Sequence, residues 1–62
     1  MSKDKAMSGE EVRRLRKRLG LTQSALAERL GVHVVTVRKW EAGMQNVGAA
    51  YAKLLRLMGT MQ

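Results

Sequence analysis

This chain of 62 residues contains no cysteine, no proline and no phenylalanine. Without cysteine there is neither a disulfide nor a thiolate-bound zinc to staple so small a body. A domain of this length buries only roughly 60% of the surface its unfolded chain exposes, so a compact helical core or a partner chain must supply the stability. Trp40 and Tyr51 are the only aromatics, too few for a platform on which single-stranded bases stack. Acidic residues are scarce as well. Five Asp and Glu stand against twelve Lys and Arg, a formal net charge of +7 with a pI of about 11.0. Such an excess points to a polyanionic partner, nucleic acid first and an anionic membrane surface second, with solubility alone as the plain alternative.

Other absences narrow the function. No apolar run approaches the roughly 20 residues of a membrane span, and Met1 to Met7 has no apolar signal-peptide core behind it, so a cytoplasmic location is expected. No carboxylate pair, nucleophile–base set or phosphate-cradling glycine loop is present, and no enzyme is expected. His33 is the sole histidine and has no companions for a metal site. Neither a metal nor a cofactor is expected.

Residues 1–7 read as a flexible N-terminal tail, in which Lys3 and Lys5 straddle Asp4 and make only a thin basic arm. Ser8-Gly9-Glu10-Glu11 fits a capping box, and its two glutamates suit the positive end of a helix dipole. The first helix is expected to run to about Leu19 and to end at Gly20. Val12, Leu15 and Leu19 recur at helical spacing as its buried stripe. Arg13, Arg14, Arg16, Lys17 and Arg18 fill the remaining positions. They form either a solvated face or a set of phosphate contacts, and their density favours phosphates.

Leu21 to Gly43 organises the chain. Thr22 is a good N-cap for a second helix over Gln23 to Leu30, with Ala25 or Leu26, Ala27 and Leu30 facing inward. Gln23, on the first turn, is either an ordinary exposed glutamine or a phosphate contact. Gly31-Val32-His33 forms the turn, with Val32 plugging the junction and His33 an exposed cap or a DNA contact. A third helix spans Val34 to Glu41, with Gly43 as its terminator. At about 100° per residue, Val37 and Trp40 share the core face, and Val35 centres the opposite face between Arg38 and Lys39. Val34 and Thr36 lie at its margins. Valine meeting a thymine methyl beside Arg or Lys on guanine acceptors suits the DNA major groove. The competing reading is a protein interface, although charge is usually depleted at an interface core.

Met44 to Asn46 reads as a loop, with Asn46 capping a last helix from Val47 to about Met58. Ala50, Leu54, Leu57 and Met58 form one stripe, which Tyr51 and Leu55 extend sideways. This apolar arc is wider than one small core needs. It is filled either by simple packing or by a homodimer contact through Tyr51, Leu55 and Met58. Residues 59–62 read as a C-terminal tail.

At these residues the chain resembles the Xre/Cro-like family of helix-turn-helix domains, in the manner of its short antitoxin and repressor members. L-R-K-R-L-G-L-T-Q (15–23) looks like the first helix's exit and the second's entry, and L-A-E-R-L-G-V (26–32) like the turn. T-V-R-K-W-E-A-G (36–43) looks like the recognition helix, and L-L-R-L (54–57) is similar to the last helix. The resemblance implies an all-α fold: a compact four-helix, lambda repressor-like domain over residues 8–58. It implies a sequence-specific regulator of transcription that binds double-stranded DNA, a dimeric repressor on a palindromic operator, bacterial or phage-encoded. His33, Val34, Val35, Thr36, Arg38 and Lys39 would read bases. Arg16 and Gln23 would hold phosphates, and with them Arg13, Lys17 and Asn46 complete the expected phosphate set. The alternative is an antitoxin-type module that neutralises a toxin protein and represses its own operon. The chain departs from the family pattern in three places. His33 stands where a Ser or Thr cap is usual, Val34 and Val35 replace polar residues, and Met44, Gln45 and Val47 replace the loop's common basic residues and proline. A fifth, dimerising helix is not expected.

Overall fold

The computed structural model describes residues 7–60, which form four helices: α1 (Gly9–Arg18), α2 (Gln23–Leu30), α3 (Val34–Glu41) and α4 (Ala49–Thr60). Each of the first three begins at a side-chain cap. Ser8 Oγ accepts the Glu11 N–H at 3.1 Å, Thr22 Oγ1 the Ala25 N–H at 3.0 Å, and His33 Nδ1 the Val35 N–H at 3.2 Å. Each satisfies one of the backbone donors that a helix start leaves free.

The first three helices also end alike, in a left-handed glycine that folds two N–H groups back onto the last turn. At the turn between α2 and α3, Gly31 has φ 74° and donates to the Glu28 carbonyl, while Val32 donates to Ala27 at 3.0 Å. A side chain at Gly31 would be strained at that φ. The closures at Gly20 and Gly43 repeat the pattern.

The core is apolar throughout. Val12, Leu26, Val37, Trp40 and Leu55 are fully enclosed, with Leu15, Ala27, Leu30, Val47 and Ala52 around them. Helices α2 and α3 form the tightest pair, and α1 packs on both α3 and α4. Two glycines permit those approaches. A Cβ on Gly9 would collide with the main-chain carbonyls of Trp40 and Glu41, so the start of α1 lies directly on the end of α3. A Cβ on Gly59 would come within 2.6 Å of Leu15 Cδ2, so α4 meets α1 closely there. The indole of Trp40 is held by packing. Its ring centroid lies 5.5 Å from that of Tyr51, tilted by 51°, and its buried Nε1 has no hydrogen-bond partner among the described residues.

The sequence expectations hold for the capped starts and glycine ends of α1, α2 and α3, and shift elsewhere. Met7 is buried in the core instead of belonging to the tail; residues 1–6, with Lys3 and Lys5, and residues 61–62 lie outside the described residues. Leu19 is the half-buried cap residue of α1 and lies outside the core cluster. Helix α4 starts at Ala49, with the Ala52 N–H donating to the Gly48 carbonyl at 2.9 Å, so Asn46 is an exposed loop residue and not its cap. Val47 and Ala52, both buried, stand where a hydrophobic staple joins the entering chain to the first turn. Gly59 lies inside α4 and not in a tail.

The inward face of α4 is also corrected. Ala52, Leu55 and Gly59 face the core, with Tyr51 and Met58 packed beside them, whereas Ala50, Leu54 and Leu57 point outward. Leu54 is 41% and Leu57 54% exposed, while Leu55 has no exposed surface and cannot serve as a dimer contact. The reason is that α4 carries apolar residues around most of its girth. Only the close approach at Gly59 and the seat of Val47 select the side that turns inward.

Candidate nucleic-acid interface

Helix α3 has two faces with different chemistry. Val37 and Trp40 are in the core, Val34 and Thr36 are half-buried, and Val35, Arg38 and Lys39 are exposed. Val35 keeps 40% of its surface open to solvent. A β-branched apolar side chain between two cations is out of place on a purely solvated helix, and it fits a groove that offers both methyl groups and hydrogen-bond acceptors. His33 adds one defined group. Its Nδ1 accepts the Val35 N–H, which leaves Nε2 as the ring nitrogen free to donate outward.

Behind this face lies a polar junction that joins three elements. Arg16 of α1 grips Glu41 of α3 with two nitrogens, Nε to Oε2 at 2.6 Å and Nη2 to Oε1 at 3.2 Å. Its third nitrogen, Nη1, donates to the Leu21 carbonyl at 3.0 Å in the α1–α2 link. Gln23, first residue of α2, donates its amide to Glu41 Oε1 at 3.1 Å. The arginine and glutamate side chains are only 14% and 7% exposed. Burial alone would raise the carboxyl's pKa, but hydrogen bonds from Arg16 and Gln23 and the charges of Arg16 and Arg13 outweigh it. Glu41 is held below its ordinary 4.5.

The structure thus places the expected phosphate residues in different settings. Each of the three guanidinium nitrogens of Arg16 gives a hydrogen bond inside the protein, and its side chain is only 14% exposed, so it braces α3. Gln23 gives one amide hydrogen to Glu41 and keeps a second, beside the free main-chain N–H groups at the start of α2. Arg13, Lys17 and Asn46 are exposed. Tyr51 and Met58, expected at a dimer contact, are half-buried against the core together with the enclosed Leu55.

Glu41 escaped the reading of the sequence, although it carried a signal. An acid at the C-terminal end of a helix opposes the dipole, and Glu41 ends a helix whose other charges are basic. A carboxylate so placed needs a cation, and Arg16 supplies it from α1.

A helix-turn-helix family model matches residues 12–56, which hold most of α1, all of α2, the turn and α3, and most of α4. The chain belongs to the Xre/Cro-like helix-turn-helix family. This helix-turn-helix domain is also 37% identical over 54 residues to an Archaeoglobus fulgidus protein named "Putative HTH-type transcriptional regulatory protein". The match takes in 87% of this chain and 18% of that protein, so the chain spans about a fifth of its relative's length. No solved structure matches the chain. Among the described residues, no helix is long and apolar enough to cross a membrane.

Proposed function

We propose that this domain is the DNA-reading part of a sequence-specific regulator of transcription, acting as a dimeric repressor. The observation that carries the reading is the outer face of α3. Val35, Arg38 and Lys39 stand free there, while the helix's only acid is turned inward against Arg16. A recognition helix needs such a surface, free of carboxylates that would repel phosphates. In the bound complex α3 lies in the major groove, where Arg38 and Lys39 donate to base acceptors and Val35 meets a thymine methyl. His33 Nε2, Val34 and Thr36 act at the near edge of that surface. Gln23 and the N–H groups of α2 take a phosphate, and Arg13, Lys17 and Asn46 add charge along the backbone. Arg16 acts through Glu41 and Gln23, as a positioning residue.

Dimerisation falls to the outer stripe of α4, Ala50, Leu54 and Leu57, in place of the enclosed Leu55 and the half-buried Tyr51 and Met58. Two-fold pairing sets the α3 helices about 34 Å apart, one turn of duplex. The same stripe favours a second reading, in which an antitoxin-type module binds a toxin through α4 and represses its own operon. Selection of bound duplexes from a random pool tests the first reading. A palindromic motif with half-sites one turn apart is expected, and a pool that stays random would overturn it. Capture of the neighbouring gene's product by the intact domain, lost in Leu54→Glu with DNA binding kept, would favour the second.

A further inference from the structure

The basic residues of α1 divide between two sides of the helix. Arg13 and Arg16 lie toward Glu41, whereas Arg14 and Arg18 face α4. There they meet Arg56 across a cleft of about 400 Å³ lined also by Glu11, Leu15, Gly59 and Thr60. Because Gly59 has no side chain, α4 closes onto Leu15 and brings the three arginines to one opening; Arg18 Nη1 lies 4.0 Å from where a Cβ of Gly59 would stand. Their charge is only partly offset. Arg56 Nε is 3.6 Å from Glu11 Oε2, and Arg14 Nη2 is 3.9 Å from the solvated Glu10. Arg18 has no carboxylate within ion-pair distance among the described residues. The three guanidinium groups therefore face one cleft wall carboxylate, Glu11, in a space that the recognition face of α3 does not share.

We propose that this cleft is a second anion site, which takes phosphate oxygens on Arg14, Arg18 and Arg56. Guanidinium forks match phosphate oxygens with paired donors. An acidic protein partner fits less well: the apolar lining is limited to the buried Leu15 and Gly59, and protein interfaces draw their strength from apolar anchors seated in pockets. The phosphate comes either from a small free phosphate compound or from the backbone of a second nucleic-acid segment. The inference does not rest on the proposed reading of DNA by α3 and stands if that reading fails.

The test follows the arginine Nε–Hε resonances of the intact chain during titration with pyrophosphate. Those of Arg14, Arg18 and Arg56 are expected to shift together and saturate. The double substitution Arg18→Gln with Arg56→Gln removes charged hydrogen bonds and should weaken the binding by about tenfold or more. Arg29→Gln, which removes the same kind of charge from the exposed side of α2, should leave it unchanged. A parallel arm mixes donor- and acceptor-labelled duplexes with the protein. Energy transfer that disappears in the double variant assigns the phosphate to a second duplex, and a pyrophosphate response without it, in protein that binds one duplex, assigns a free compound; either supports the site. The proposal is overturned if pyrophosphate gives no saturable shift and no energy transfer arises. It is equally overturned if Arg29→Gln weakens binding as much as the cleft variant does.

Discussion

Helix α1 is flanked by two junctions built from similar residues to opposite effect. On the α3 side, Gly9 brings backbone against backbone, and Arg16, Glu41 and Gln23 are locked together in a nearly dry network. On the α4 side, Gly59 meets a side chain instead, and the arginines stand around an open cleft with loose, solvated ion pairs. Under the proposed function, the contrast follows from what each neighbour would have to do. A helix that reads base edges has to be held within a fraction of an ångström, and a bidentate buried pair fixes position as well as energy. A supporting helix needs only its apolar face covered. The polar groups of the first junction are therefore turned chiefly to holding α3, while those of the second face an open cleft.

The sharpest way to break this contrast is to remove one acid from each side. Glu41→Ala leaves Arg16 enclosed without its carboxylate, with only the Leu21 carbonyl to accept from it, and should cost about 3 kcal/mol in urea unfolding. Glu11→Ala, on the open side, should cost under about 1 kcal/mol, as exposed ion pairs do. Equal losses would mean that the two junctions are alike. The glycines give the next test. Gly9→Ala drives a methyl group into two main-chain carbonyls that cannot rotate away, so about 2–3 kcal/mol is expected. In Gly59→Ala the Leu15 side chain can turn aside, and the gain in helix propensity, about 1 kcal/mol, offsets part of the strain. Its net change should stay within about 1 kcal/mol by the same denaturation.

The smallest effect is in pH. The folded Glu41 carboxyl has a pKa below its ordinary 4.5, so the unfolded chain takes up that proton more readily. Its stabilisation is complete above about pH 4.5 and is lost as pH falls through the lower, folded value. Thermal unfolding between neutral and acid pH should therefore fall less steeply for Glu41→Gln than for the parent chain.

How legible these features were depended on charge. In α3, Arg38 and Lys39 mark the outward side, and the inward placement of Val37 and Trp40 follows from spacing alone. The start and end of each of the first three helices were equally readable, because capping residues and left-handed glycines act locally. In α4, apolar residues occupy both the inner side and the outer Ala50–Leu54–Leu57 stripe, so period alone could not choose between them. The choice came from tertiary packing, Gly59 on Leu15 and the buried Val47. The grip of Arg16 on Glu41 joins residues 25 apart in sequence, and only the crossing of α1 and α3 brings them together. For the same reason spacing could not single out Arg16 within its row of basic residues.

Under the proposed function, the outer face of α3 reads base sequence. Its most direct test is the base-pair preference profile of Arg38→Ala beside that of Arg29→Ala, measured on the same duplex pool at one salt concentration. Both variants lose one positive charge. Arg38→Ala is expected to flatten preference at a single base pair in each half-site, by about 1–3 kcal/mol, and Arg29→Ala to keep the parent profile. Two profiles that matched each other and the parent at every position would contradict it.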